Sequence, residues 1–355
     1  MVLAIAGWVS AGVAVCAVGR WSALGPFRAD GTPVGVQGLA TVPGTAVLYA
    51  AGDDALYRSE DGGAHWSVAL ADGAGVVSVT VDPQTPSTVY AGAYDGLFRS
   101  TDSGGTWSLV LEGAVSAVAV APSAPATVYA AAVRGTPETR ASVLKSTDSG
   151  ATWVGVLDAI EHDAFRSLAV DPSSSERVYA GTDSRYFFRS EDGGASWSFV
   201  RSVWDGGIFS IAVDPQSAST LYAASTETVG PIGPFPCNVA KSTDFGRTWS
   251  VLPGLPERGY SSVAIEPVSP HRVYASVTDT VYRSDDAGST WTPITSDPTP
   301  VFAYAYAFDP LRAGHLYVAY YSSVYEIVLD SDRAPVERPG VPPPKPRALP
   351  ARPAR

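Results

Sequence analysis

One eight-residue signature occurs six times along the 355 residues, and a repeat of this kind restricts the fold more than any other feature of the chain. It reads Ser59-Glu60-Asp61-Gly62-Gly63-Ala64-His65-Trp66, then STDSGGTW at 100–107 and STDSGATW at 146–153. It returns as SEDGGASW at 190–197, STDFGRTW at 242–249 and SDDAGSTW at 284–291. The frame is Ser-x-Asp-x-Gly-x-(Thr/Ser)-Trp, and only His65 departs from the Thr or Ser position. Successive tryptophans are 41, 46, 44, 52 and 42 residues apart, the length of one four-stranded blade of a propeller.

Around each box the same order of elements recurs. Hydrophobic residues make up 45% of the chain and come in short bursts rich in Val, Tyr and Ala, with no stretch of helical period. Such bursts predict many short strands. A strand at 77–81 runs into Asp82-Pro83, a second is marked Val89-Tyr90-Ala91-Gly92, a third is Leu97-Phe98-Arg99-Ser100, and Trp107-Ser108-Leu109-Val110 follows the box. The turn recurs at Asp171-Pro172, Asp214-Pro215, Glu266-Pro267 and Asp309-Pro310; proline ends the strand because it removes a ladder donor and fixes φ. The tyrosine mark recurs at Tyr49, Tyr129, Tyr179, Tyr222, Tyr274 and Tyr317, which with Tyr90 gives seven units against six boxes. The seventh unit, 301–329, supplies only three strands, and Arg20-Trp21-Ser22-Ala23-Leu24 resembles the post-box strand of the others. The predicted fold is all-β: a seven-bladed propeller of four-stranded antiparallel blades over residues 20–330, the last blade closed by the N-terminal strand. That pairing removes two exposed strand edges.

Turn geometry and packing account for every residue type in the box. The carboxylate accepts N–H groups of its own loop, the glycine supplies a backbone conformation other residues avoid, and the tryptophan fills the space between sheets. Asp61, Asp102, Asp148, Asp192, Asp244 and Asp286 are therefore read as structural. Spread around a rim, they do not converge on one reaction centre. Arg58, Arg99, Arg189, Arg283, Lys145 and Lys241 share one position before the boxes and read as a solvated or stacking row.

The formal charge of −11 divides into +5 for residues 333–355, with six basic residues and one acid, and −16 for the rest. An acidic body disfavours nucleic acid as a partner. Residues 331–355 are Pro- and Arg-rich and predict an extended, disordered tail. Residues 1–19 carry no charge and read as a signal peptide or apolar leader, which places the protein outside the cytoplasm: secreted, periplasmic or at the cell surface. The two cysteines, Cys16 and Cys237, do not form a disulfide framework. No membrane span is expected within the propeller, and a monomer is expected.

These boxes, with the Asp-Pro and Val-Tyr-Ala-Gly marks, resemble the bacterial neuraminidase (Asp-box) repeat superfamily. The repeats are most similar to those of xyloglucanases, sortilin-type receptors and the photosystem II assembly factor. The resemblance implies the propeller fold over about 21–329 and leaves the activity open, since those relatives include hydrolases, receptors and assembly proteins. Xyloglucanases place two catalytic aspartates on two facing propellers, and this chain carries the repeats of one. Sialidases imply three arginines and a Phe-Arg-Ile-Pro segment, of which Phe27-Arg28-Ala29-Asp30 is a poor echo.

Loop lengths point to a binding face. The Tyr-to-Trp interval is 17 or 18 residues in four units but 24 from Tyr129 to Trp153 and 27 from Tyr222 to Trp249. Enlarged loops on one side of a repeat fold mark such a face. Candidate binding residues are Arg134, Arg140, His162, Trp204, Glu257, Arg258 and Tyr260. No His/Cys/Asp group has metal-ligand spacing and no phosphate loop or nucleophile elbow is present, so neither metal nor cofactor is expected. The favoured reading is a non-catalytic module that binds a protein or a glycan. The alternative is a glycoside hydrolase, xyloglucanase- or sialidase-like, using Glu161, Asp163 or Asp205 as its carboxylates.

Overall fold

The computed structural model describes residues 20–71, 73, 75–134, 140–159, 163–184, 186–201, 206–226, 229–230, 233–234, 239–256, 261–277, 280–294 and 303–329. Seven four-stranded antiparallel sheets form a seven-bladed β-propeller. Blade 1 runs Val36–Thr41, Leu48–Gly52, Leu56–Ser59 and Ser67–Leu70 from the axis outward. The inner strands of blades 2 to 7 are Val76–Val81, Ala114–Val120, Phe165–Asp171, Ile208–Val213, Ser261–Ile265 and Ala303–Phe308. Each inner strand contacts the next, and the last returns to Val36–Thr41, so the ring is closed. In blade 7 the outer strand is Arg20–Gly25, paired antiparallel with Ser323–Val328 in a register that sets Trp21 opposite Ile327. The N-terminal strand therefore takes the place of the post-box strand, as the repeat count requires.

The second strand of each blade shows why alternate residues differ in size. Leu48 and Ala50 pack with Tyr317 and Ala319 of blade 7, while Tyr49 and Ala51 pack with Val76, Val89 and Ala91 of blade 2. Successive side chains point to opposite sheet faces, so one strand serves two cores, and both faces are buried. The same division recurs around the ring and produces one hydrophobic cluster at each of the seven junctions. On each face a larger residue is followed by alanine, Leu48 with Ala50 and Tyr49 with Ala51, so the sheets can pack closely.

Polar contacts join the blades on the box face. In blade 2, the Ser100 hydroxyl donates to Asp102 Oδ1 at 2.7 Å and accepts the Gly104 N–H at 2.8 Å. Asp102 Oδ1 also accepts the Thr106 N–H, and Oδ2 accepts the Thr106 hydroxyl, both at 2.8 Å. Equivalent bonds occur at Asp148, Asp192, Asp244 and Asp286, and at Asp61 the His65 ring replaces the hydroxyl. Hydrogen bonds from Thr106, Thr152, Ser196 and Thr290, joined by those from the box serines, hold the carboxyls of Asp102, Asp148, Asp192 and Asp286 down to about 2. The glycine is fixed by closeness as well as by backbone. Gly288 has a φ of 93°, and a Cβ there would lie 2.7 Å from Leu252 Cδ1 of the preceding blade.

The residue before that glycine turns its carbonyl toward the preceding blade. Ser103 O accepts the Tyr49 hydroxyl at 2.8 Å. Ser149 O accepts both the Tyr90 hydroxyl at 3.0 Å and Arg99 Nη1 at 2.7 Å. Lys145 reaches Gly193 O, Arg189 reaches Phe245 O, and Lys241 with Tyr222 reaches Ala287 O. Four members of the cation row, expected to be solvated or stacked, therefore cap carbonyls of the next blade, and of these Lys145 and Lys241 also lie over the Tyr129 and Tyr222 rings. Arg58 and Arg283 instead pair with Glu60 and Asp285.

Candidate functional site

Chain direction puts the box loops and the Asp-Pro turns on one face of the ring. The loops between second and third strands, and those between blades, lie on the other. That second face surrounds the axial opening, a space of about 240 Å³ lined by the starts of the inner strands, among them Gln37, Ser78, Ser116, Arg166, Ser167 and Phe209.

A bulge repeated around the ring shapes this mouth. In six of the seven blades one residue near the start of the inner strand is skipped by the ladder: Gln37, Val77, Ser116, Arg166, Phe209 and Tyr304. A bulge leaves the extra residue unpaired and re-aims its side chain. Here it lifts Arg166, Phe209 and Tyr304 into solvent at the opening.

Arg166 is the hub of the described part of the mouth. Its Nε donates to Asp183 Oδ1 at 2.7 Å, and its guanidinium lies 5.8 Å from the centre of the Phe209 ring on the next blade. The Asp183 hydrogen bond raises the guanidinium pKa above its ordinary value against the opposing effect of burial, and Tyr94 and Asp163 add to it from farther off. Glycine makes the approach possible on the blade 5 side: a Cβ on Gly207 would sit 2.7 Å from Asp183 O and 2.7 Å from Phe209 Cε2.

Asp163, a hydrolase candidate in the sequence, lies in this neighbourhood with a supporting geometry. Its Oδ1 accepts the N–H groups of Ala164 at 2.8 Å and Ser184 at 3.1 Å, which ties the interblade loop to the turn that carries Asp183. Asp183 N–H in turn donates to Ala164 O at 2.9 Å. On the far side of the mouth, Arg28 bridges Asp53 at 2.6 Å and Asp54 at 2.9 Å. Tyr57 donates to Asp54 Oδ1, and its hydroxyl is pushed up to about 12 by burial and by that carboxylate.

Arg134 and Arg140 pair across the end of the second and third strands of blade 3 on this same face. Glu161, His162, Trp204, Asp205, Glu257, Arg258 and Tyr260 lie outside the described residues. The sequence reading missed Arg166, Phe209, Tyr94, Tyr304 and Asp183. A signal for three of them was present. The bulged residue stands five positions before the Asp, Glu or equivalent residue of each strand-ending turn, and it is Gln, Val, Ser, Arg, Phe or Tyr between neighbours that scarcely change. Among the described residues, no group of three or more His, Cys, Asp or Glu side chains could hold a metal ion, and no helix is long and apolar enough to cross a membrane.

No protein-family model matches the chain. In sequence it is 29% identical to a xyloglucanase of Hypocrea jecorina over 157 residues, 36% of this chain and 19% of that protein. In structure it is similar to a GH74 xyloglucanase from Xanthomonas campestris, with a TM-score of 0.70, 20% identity, and coverage of 89% of this chain and 54% of that one. It is also similar to YCF48 bound to D1 peptide, with a TM-score of 0.64, 17% identity, and coverage of 88% and 97%. The match spans about a fifth of the length of the curated xyloglucanases and about half of the Xanthomonas structure. The chain is a seven-bladed β-propeller with the architecture seen in xyloglucanases and in YCF48.

Proposed function

We propose that the chain is a non-catalytic binding module working outside the cytoplasm, which holds a protein or glycan ligand over the mouth of its axial opening. One observation carries this reading: the bulged inner strands of blades 4 and 5 set the Arg166 guanidinium 5.8 Å from the centre of the Phe209 ring beside the opening, with Tyr94 of blade 2 exposed on the same face. Exposed aromatic faces next to a fixed cation favour binding of an extended ligand. Of the carboxylates nearby, Asp183 is engaged with Arg166, while Asp163 accepts two backbone N–H groups at Oδ1 and keeps a buried Oδ2 with no hydrogen-bond partner among the described residues. Support for a module of this size comes from YCF48, a propeller of nearly the same extent that is found with a bound peptide. The uncharged segment 1–19 supports the location.

A second reading, a glycoside hydrolase, is favoured by the sequence similarity to xyloglucanases. Such a reaction needs two carboxyl groups set across the scissile bond. A panel of glycans, including xyloglucan oligosaccharides, and of peptides separates the readings when binding and bond cleavage are both followed. Binding without cleavage, weakened at least ten-fold by Phe209→Ala, is the expected result. Turnover abolished by Asp163→Asn would overturn it.

A further inference from the structure

The axial opening differs in chemistry from the rim around it. The turns and interblade loops of this face carry both signs, Arg28, Arg134 and Arg140 beside Asp53, Asp54, Asp95, Asp163 and Asp183, with Glu112 and Asp158 at the ends of outer strands. The described residues that line the opening include no acid and a single charged group, Arg166. In a chain with a net charge of −11, the one charge on the wall of the central opening is a cation.

That cation has donors left to give. Arg166 uses Nε on Asp183 Oδ1 at 2.7 Å, which fixes the guanidinium, while Nη1 and Nη2 have no hydrogen-bond partner among the described residues. The Gln37 amide, on the wall supplied by blade 1, is likewise unengaged among them. Of the lining serines, Ser116, Ser167 and Ser210 already donate to Phe165 O, Ile208 O and Val263 O of the next blade, and the Ser78 hydroxyl is buried. A fixed guanidinium edge offers two parallel N–H groups, the arrangement that a carboxylate accepts best.

Two residues further along the inner strands the wall turns apolar, with Leu39, Val79, Val118, Leu168 and Ile211 from five consecutive blades. The space measures about 240 Å³. Pockets that enclose a whole small ligand run to about 300–1,000 Å³, so this one suits a single group at the tip of a ligand. Phe209 and Tyr304 stand exposed at its entrance. A neutral sugar leaves the guanidinium edge without a charge to pair and sets hydroxyl groups against an apolar wall.

We propose that the axial opening receives a carboxylate carried on a short apolar body. The carboxylate meets Arg166 Nη1 and Nη2 with the Gln37 amide donating from blade 1, the apolar body lies against the Leu168 and Ile211 level, and the rest of the ligand crosses Phe209. This rests on the mouth being the binding site and adds the chemistry of the group that enters it. An apolar C-terminal residue of a polypeptide carries that chemistry, and so does a free short-chain acid.

The probe is the peptide Gly-Ser-Gly-Ser-Leu with fluorescein on its N-terminus, titrated with the native full chain and followed by anisotropy. The free acid should bind at least about ten-fold more tightly than the C-terminal amide, and about ten-fold more tightly than the same peptide ending in serine. Arg166→Gln should erase the difference between acid and amide, and Gln37→Leu, which breaks no bond of the fold, should reduce it. Should Arg166→Gln fail to fold, Arg166→Lys keeps a charge beside Asp183 without the two parallel donors and should cut the difference to about three-fold or less. Equal binding of acid and amide, a difference that survives the Arg166 variants, or no binding of either peptide overturns the carboxylate site; equal binding of the leucine and serine peptides overturns its apolar part. Isocaproate that displaces the probe as readily as unlabelled peptide assigns the site to free acids, and a need for at least about ten-fold more of it assigns the site to polypeptide ends; both results support the carboxylate chemistry. A panel ligand that needs Phe209 but binds Arg166→Gln as tightly as the native chain leaves the mouth as the binding site and overturns only the carboxylate.

Discussion

Replacing Ser100 with alanine is the sharpest probe of how the hairpins hold the ring together. Ser100 is 1% exposed, and its hydroxyl donates to Asp102 Oδ1 while accepting the N–H of Gly104 at 2.8 Å. Alanine fits the space but leaves the buried Gly104 N–H without an acceptor, which costs about 1–3 kcal/mol, and loss of the bond to the carboxylate adds about 1 kcal/mol. The total for Ser100→Ala is thus about 2–4 kcal/mol. Thr106→Val is the matched control: it removes a hydroxyl from the other oxygen of the same carboxylate at an exposed site and keeps the backbone bond. Its cost is about 0.5–1 kcal/mol. Urea unfolding followed by tryptophan fluorescence measures both, and the midpoint should fall with an unchanged slope. A loss below about 1 kcal/mol for Ser100→Ala, or one equal to that of Thr106→Val, would refute the role given to the buried serine.

Three further predictions concern the junctions. Tyr49→Phe should cost about 1–2 kcal/mol, because among the described residues Ser103 O accepts only that hydroxyl, whereas Tyr90→Phe should cost about 0.5 kcal/mol, because Ser149 O keeps Arg99; equal losses in urea unfolding would contradict this. Gly288→Ala should destabilise by about 1–3 kcal/mol, through its φ of 93° and the Leu252 contact, and a neutral result in the same assay would argue against that packing. The carboxyls of Asp102, Asp148, Asp192 and Asp286 lie near 2 in the folded state, below the value of about 3.9 in an unfolded chain. A depressed carboxyl stabilises above its unfolded pKa and loses that contribution as pH falls through the folded one. The urea midpoint should therefore hold down to about pH 4 and fall from there toward pH 2, and Asp102→Asn should make the fall shallower.

The fold was readable because its signals are periodic. Seven tyrosine marks counted the blades, and the surplus of one mark over the boxes located the strand that Arg20–Gly25 completes. The two-sided packing was also encoded: in Val-Tyr-Ala-Gly the Val and Ala face one neighbour and the Tyr and Gly the other, a large residue followed by a small one on each side. The site was less readable for the opposite reason. Arg166 and Phe209 are adjacent in space through a bulge and a glycine approach at Gly207, and neither leaves a motif. Loop length drew attention to the face that carries the axial mouth, but the residues at the mouth come from the starts of inner strands that look like ordinary core sequence. Asp163 stood out as a carboxylate beside a histidine; its bonds to Ala164 and Ser184 become visible only when the loops of blade 4 are placed together.

The central claim is that ligand binds at the axial mouth and not at the box face. Hydrogen exchange with and without the tightest binder of the glycan and peptide panel tests it directly. Slowed exchange confined to the inner-strand starts at 36–39, 76–79, 165–168 and 208–211 and to the turns at Tyr94 and Asp183 is the predicted result. Protection centred on the box hairpins at 61–65, 102–106 or 192–196, with the mouth unchanged, would contradict it.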